Sequence, residues 1–317
     1  MFNVLLLIGG LIILLYGGNI LVDSASALAK RLNIPNMVIA LTIVAFGTSA
    51  PELAANLVAS LDNNSGIVLG NVIGSNLFNI LCTLGIASML LPLTVKSNTT
   101  WIEIPLCVLS SLAVWVVASD TLFDHVSHSV VSRADGLILI LFFLVFLGYN
   151  VQLIKQSNYE EEFETKDYSL GKALLLIVIG LGMLTGGAKS FVYGASQIAE
   201  MLGVSQRIIG LTIVSIGTSL PELITSVISV RKRNVDMAIG NIVGSNIFNV
   251  FFILGSSAVV SPVMVEAGSA LDLIINLVAS FLLFIFIFSG KGRQLDRWNG
   301  AMLFSLYLAY MGYLLSP

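Results

Sequence analysis

GTSAPEL, residues 47–53, interrupts an apolar run with a proline followed at once by a carboxylate, Glu52. A near copy, GTSLPEL, stands at 217–223, again inside an apolar run and again carrying a proline followed by a glutamate, Glu222. An ionisable side chain at membrane depth costs roughly 2.5 kcal/mol or more, so it marks a functional site and calls for a partner. Here each copy supplies the partner of the other.

The likeness spreads outward from the heptapeptides. Residues 41–85 align with 211–255 without a gap and match at 20 of 45 positions. Weaker matches run upstream, pairing Gly10 with Gly180, Leu11 with Leu181, Gly17 with Gly187 and Ser26 with Ser196. The chain is an internal duplication.

The 317 residues are 56% hydrophobic and only 10% charged, against roughly 25% charged in soluble domains. Apolar stretches long enough to span a bilayer fall at 2–22, 36–59, 67–93, 100–118, 135–155, 170–194, 205–229, 237–262, 267–289 and 297–315. The expected fold is therefore an all-α integral membrane protein of ten transmembrane helices. The first span is read as a retained helix, not a signal peptide, because no basic leader precedes it and no clean cleavage signal ends it. Each copy holds five helices, an odd number, so the second is inserted upside down. This is the inverted-repeat plan of secondary transporters, whose sites lie near the bilayer midplane between interrupted helices. The units are residues 1–155, a short linker at 156–169, QSNYEEEFETKDYS, and residues 170–317. Glu160, Glu161 and Glu162 in that linker read as a solvated cytoplasmic connection.

Basic residues set the orientation. Lys30, Arg31, Lys96, Lys155, Lys166, Lys172, Arg231, Lys232, Arg233, Lys291, Arg293 and Arg297 fall at alternate connections, 12 of the 15 basic residues. Only Arg133 and Arg207 fall on the other side, and Lys189 lies within the sixth span. By the positive-inside rule the twelve face the cytoplasm and both termini lie outside, in the cell's plasma membrane.

A net charge of −3 without a long basic run argues against nucleic acid. Cys82 and Cys107 lack metal-ligand spacing and read as core side chains, while His125 and His128 read as a hydrated loop. No Ser–His or paired-Asp arrangement accompanies the glutamates, which argues against an intramembrane hydrolase and against an enzyme at all. No resident cofactor is expected.

The letters around Glu52 and Glu222 suit a cation. Pro51 and Pro221 cannot donate a backbone hydrogen bond, so the helices open around Gly47 and Gly217 and liberate carbonyl oxygens. Thr48, Ser49, Thr218 and Ser219 add hydroxyls beside each carboxylate. Oxygen ligands without His or Cys are the chemistry of Ca²⁺ or Na⁺. A second paired motif, GNVIGSNLFN at 70–79 and GNIVGSNIFN at 240–249, places Asn71, Ser75 and Asn79 on one helix face and Asn241, Ser245 and Asn249 on its counterpart. Gly70, Gly74, Gly240 and Gly244 stand at the spacing that permits close helix crossing.

These paired motifs resemble the α-repeats of the sodium/calcium exchangers, within the cation/Ca²⁺ antiporter superfamily. The resemblance implies that Glu52 and Glu222 hold Ca²⁺ beside Thr48 and Thr218. It implies Na⁺ sites at Ser49, Ser219, Ser75 and Ser245 with the polar faces that end on Asn79 and Asn249, and ligating carbonyls at Ala45 and Ser215. Where many sodium/calcium exchangers carry Asp, this chain has Asn249, symmetric with Asn79. The function expected is exchange of Ca²⁺ for Na⁺ by alternating access. An H⁺/Ca²⁺ antiporter is the runner-up and a cation channel stands behind it.

Overall fold

A computed structural model describes residues 2–62, 64–123, 125–156, 165–203, 213, 215–266, 268–289 and 292–315. The chain is almost wholly helical. Helix α1 is Phe2–Leu32, α2 is Asn36–Thr48, α3 is Ala50–Leu61, α4 is Ser65–Leu90, α5 is Thr99–Val117 and α6 is Arg133–Gln156. Helix α7 is Leu170–Met201, α8 is Ser215–Thr218, α9 is Leu220–Arg231, α10 is Val235–Val260, α11 is Ser269–Phe286 and α12 is Arg297–Leu315. Among the described residues seven helices are long and apolar enough to cross a membrane, and eight when the bent pair α2 and α3 is taken as one span. The expected span at 205–229 falls partly outside the described residues, as do Arg207, Lys291 and the linker glutamates.

Helices α1 and α7 have 31 and 32 residues, longer than the spans expected at 2–22 and 170–194. At about 1.5 Å per residue each exceeds the ~30 Å hydrocarbon core and must tilt or protrude. They lie side by side at glycines. A Cβ at Gly10 would meet the Gly187 carbonyl oxygen at 2.8 Å, and one at Gly17 would meet that of Gly180 at 3.1 Å. Since residue number rises along one helix as it falls along the other, the two helices run antiparallel. Sequence pairs Gly10 with Gly180 and Gly17 with Gly187; space exchanges the partners.

The same exchange recurs elsewhere. A Cβ at Gly85 of α4 would meet the Gly300 carbonyl oxygen of α12 at 3.1 Å, and one at Gly136 of α6 would meet that of Gly255 in α10 at 2.6 Å. Two short antiparallel pairs repeat it: β1 (Leu93–Thr94) with β4 (Gln294–Leu295), and β2 (Val130–Val131) with β3 (Val263–Met264). Helix α4 thus packs on α12, and α10 on α6.

Helices α4 and α10 form the centre of the molecule. Their starts are capped alike: Asn64 accepts from the Ile67 amide and Asn234 from the Met237 amide. Gly240 and Gly244 do bring α10 against α2, where Cβ atoms would meet the Cβ atoms of Ala40 at 2.7 Å and Ala45 at 2.9 Å. Gly70, by contrast, is exposed and meets nothing within 4 Å among the described residues, so the close crossing its spacing permits is not made there. At the end carrying most of the basic residues, Asp23 of α1 pairs with Lys166 at 2.7 Å and with Lys232 at 2.5 Å, and Lys96 pairs with Asp236 at 3.0 Å.

Candidate cation site

The bend between α2 and α3 is 47° and falls at Ser49, whose φ of −85° and ψ of 6° leave the helical region. Pro51 then sits in the first turn of α3, where no intrahelical donor is needed, so the proline that breaks one helix starts the next. Ser219 repeats this with φ −92° and ψ 5° ahead of Pro221 in α9. Glu52 and Glu222 occupy the first turns of these new helices, where the positive end of the helix dipole favours a carboxylate.

Both glutamates are buried, at 2% and 1% exposure, and serines donate hydrogen bonds to their carboxylates. Each reaches across to the other half. Ser49 Oγ donates to Glu222 Oε1 at 3.0 Å, and Ser219 Oγ donates to Glu52 Oε1 at 3.3 Å. Ser245 Oγ also donates to Glu222 Oε1, at 3.4 Å. The second oxygen of each carboxylate has no partner among the described residues. A buried, unsatisfied carboxylate oxygen is expensive, and two of them in one interior need a cation or a proton to complete them.

The asparagines show how further oxygens are aimed. Asn79 Nδ2 donates to Asn246 Oδ1 at 3.0 Å, and Asn249 Nδ2 donates to Asn76 Oδ1 at 3.0 Å. Asn246 and Asn76 spend their own amide nitrogens on each other's backbone carbonyls, at 3.4 Å in both directions. Each Asn79 and Asn249 amide is thereby held with its nitrogen engaged and its Oδ1 unpartnered among the described residues. Both helices widen into a π-helical turn here, over Phe78–Leu84 and Asn249–Leu254, as helices often do at functional sites.

Of the other expected ligands, Ser75 Oγ is buried without a partner among the described residues. Thr48 Oγ1 lies 3.2 Å from Asn241 Oδ1 and also donates to the Val44 carbonyl at 3.1 Å. The Ala45 carbonyl accepts from the Ser49 amide at 3.0 Å. The Ser219 amide instead turns to Ile216, at 3.1 Å, and the side chain of Ser215 lies outside the described residues. Thr218 lines a crevice of about 580 Å³ with Pro51, Gly217 and Lys189, whose other described walls carry no acid.

Sequence reasoning missed Asn76 and Asn246, which orient the other two asparagines. It missed Asn56, whose Nδ2 holds the Glu52 carbonyl at 2.9 Å, and Ser226, which accepts from Asn241 at 3.2 Å. Only the recurrence of Asn76 at Asn246 within the duplicated motif hinted at the first pair. His125 and His128 are exposed, His128 Nδ1 contacts Ser127 Oγ at 2.8 Å, and no group of three metal-binding side chains occurs among the described residues.

A membrane-spanning helical bundle whose two halves exchange partners around buried carboxylates held by serines defines a cation-handling membrane transporter. The family profile described as sodium/calcium exchanger protein matches residues 2–152 and 172–316, and the chain belongs to that family. It is 34% identical to the putative antiporter CaxA of Alkalimonas amylolytica over 316 residues, 97% of each chain. It is 31% identical to the sodium/calcium exchanger MaX1 of Methanosarcina acetivorans over 341 residues, covering 98% of this chain and 97% of that one. Its structure superposes on the sodium-calcium exchanger NCX_Mj, soaked with Na⁺ and Sr²⁺, with a TM-score of 0.84 and 31% identity over 98% of both chains.

Proposed function

We propose that this protein exchanges Ca²⁺ for Na⁺ across the plasma membrane by alternating access. In this reading it has ten spans, built as two inverted five-helix copies, with both termini outside. The observation that carries it is the set of unpartnered buried oxygens that fall, among the described residues, within the two duplicated motifs: one from each glutamate, one each from Asn79 and Asn249, and the Ser75 hydroxyl. Glu52 and Glu222 would hold Ca²⁺ with Thr48 and Thr218. Ser49, Ser219, Ser75, Ser245, Asn79, Asn249 and the carbonyls of Ala45 and Ser215 would complete the Na⁺ sites. The transported ions are substrates, and no resident cofactor enters the scheme.

Two carboxylates balance one Ca²⁺, whereas three Na⁺ would leave one positive charge in excess. Exchange on that count is electrogenic, worth about 2.3 kcal/mol per charge per 100 mV. Antiparallel packing of α1 on α7 supports the inverted plan. The gathering of Lys166, Lys232 and Lys96 at one end supports the orientation.

The competing reading is H⁺/Ca²⁺ exchange. Its support is the one unpartnered oxygen on each buried carboxylate among the described residues, which a proton could complete in place of a metal. Hydroxyl and amide oxygens that a proton does not need favour Na⁺. Ca²⁺ flux in proteoliposomes under a Na⁺ gradient alone, and under a pH gradient alone, separates the two. The Na⁺ reading expects uptake only with the Na⁺ gradient, and full activity with the pH gradient alone would overturn it.

A further inference from the structure

At the end of the molecule away from Lys96, a second concavity of about 520 Å³ lies between the end of α5, the segment before α6 and the start of α11. That size is typical of small-molecule sites, which run to roughly 300–1,000 Å³. Trp115, Leu273 and Ile274 form apolar wall, and Ser129, His128 and Glu266 bring polar groups to it. The Trp115 ring is braced edge-on by Phe123, with centroids 5.6 Å apart.

The duplication shows what this concavity lacks. Lys96 follows β1 by two residues, and Glu266 follows β3 by two residues at the equivalent place. At its own end, Lys96 puts an ammonium on the Asp236 carboxylate, in the first turn of α10, at 3.0 Å. The equivalent of Asp236 is Gly66, in the first turn of α4, and Glu266 Oε1 fills the space a Gly66 Cβ would need. One end of the scaffold therefore joins a cation to an anion. The other presents an exposed carboxylate, and none of the described lining residues is a lysine or arginine.

We propose that this concavity binds a protonated organic amine with a compact apolar body. Its ammonium stands on Glu266 as the Lys96 ammonium stands on Asp236, and its body lies against Trp115, Leu273 and Ile274. An inorganic divalent cation fits poorly: Ca²⁺ takes about six to eight oxygens, and the described lining residues bring one carboxylate. The site is separate from the exchange cage, and only its placement on the outer face rests on the proposed orientation.

The test is equilibrium binding of radiolabelled tryptamine to the purified full-length protein in detergent, which needs no assumption about orientation. Saturable binding is expected, with tryptophol, its neutral alcohol counterpart, failing to compete. Glu266→Gln should weaken binding by about tenfold or more, the usual effect of losing a charged hydrogen-bond partner, and Trp115→Leu should weaken it as well. Both variants should retain Ca²⁺ binding at the cage, which establishes that they fold. Excess Ca²⁺ should not displace the amine. Absence of saturable binding, equal competition by tryptophol, unchanged affinity in Glu266→Gln, or displacement by Ca²⁺ together with loss in Glu52→Gln would each overturn the proposal.

Discussion

Glu52 and Glu222 each spend one oxygen on a serine of the opposite half and leave the other unpartnered among the described residues. Glu52→Gln or Glu222→Gln keeps the volume and removes the charge. Each should weaken Ca²⁺ binding by about a hundredfold or more, in line with the roughly 3 kcal/mol cost of stripping one partner from a buried charge pair. Expression and melting temperature should stay near the parent values, and equilibrium Ca²⁺ binding reads the difference. Asn76 and Asn246 make a subtler case, since they hold Asn249 and Asn79 with their oxygens unpartnered. Asn76→Ala leaves the Asn249 amide free to turn its nitrogen inward. The concentration for half-maximal exchange should rise about tenfold, consistent with the ~1–3 kcal/mol cost of a buried group left unmatched. A rise for neither ion would assign Asn76 to packing alone. The glutamates are legible in the sequence because a carboxylate directly after a proline, inside an apolar run, costs too much to persist without a partner or a function. The orienting asparagines are not, because each carries the same amide as the proposed ligand three positions on in its own motif, yet holds the proposed ligand of the other motif. The π-helical turns at Phe78–Leu84 and Asn249–Leu254 also shift which residues share a face, and a regular 3.6-residue period does not anticipate that.

Among the elements, α1 and α7 meet where glycines let one backbone lie against the other, and a side chain there has nowhere to go. Gly10→Ala would place its Cβ 2.5 Å from the Phe191 amide nitrogen. It should lower stability by about 1–3 kcal/mol, the usual cost of overpacking, seen as a lower melting temperature in detergent. The antiparallel arrangement has a direct check as well. Cysteines at Leu6 and Ser190, whose hydroxyl donates to the Leu6 carbonyl at 3.0 Å, should form an oxidative cross-link, while cysteines at Leu6 and Leu176 should not; the reverse pattern would mean parallel helices. The duplication itself is plain in the aligned motifs, and the odd number of spans expected per copy is what points, in the sequence, to inversion. Helix ends are not plain: α1 and α7 run past their most apolar stretches because polar residues such as Ser24 and Ser26 are buried against neighbouring helices. Composition alone cannot separate such residues from a loop. Pro51 announces an opening around Gly47, but the second role of the break at Ser49, starting α3 with Glu52 in the first turn, needs backbone geometry.

For the whole molecule, the proposed orientation predicts that Asp62→Cys labels from outside and Asn98→Cys from the cytoplasm in intact cells. Both positions are exposed and lie at successive connections. Labelling from one side would contradict the alternation of spans on which the inverted plan rests. The central claim is that one buried cage of oxygens serves both ions in turn, so that Na⁺ and Ca²⁺ exclude each other from Glu52 and Glu222. The direct measurement is equilibrium binding of radiolabelled Ca²⁺ to purified protein titrated with Na⁺ at constant ionic strength and pH. Na⁺ should displace all the Ca²⁺, more steeply than one competing ion would, and the Glu52→Gln, Glu222→Gln double variant should bind no Ca²⁺ at comparable concentration. Ca²⁺ that stays bound at saturating Na⁺, or that binds the double variant as it binds the parent, would contradict it.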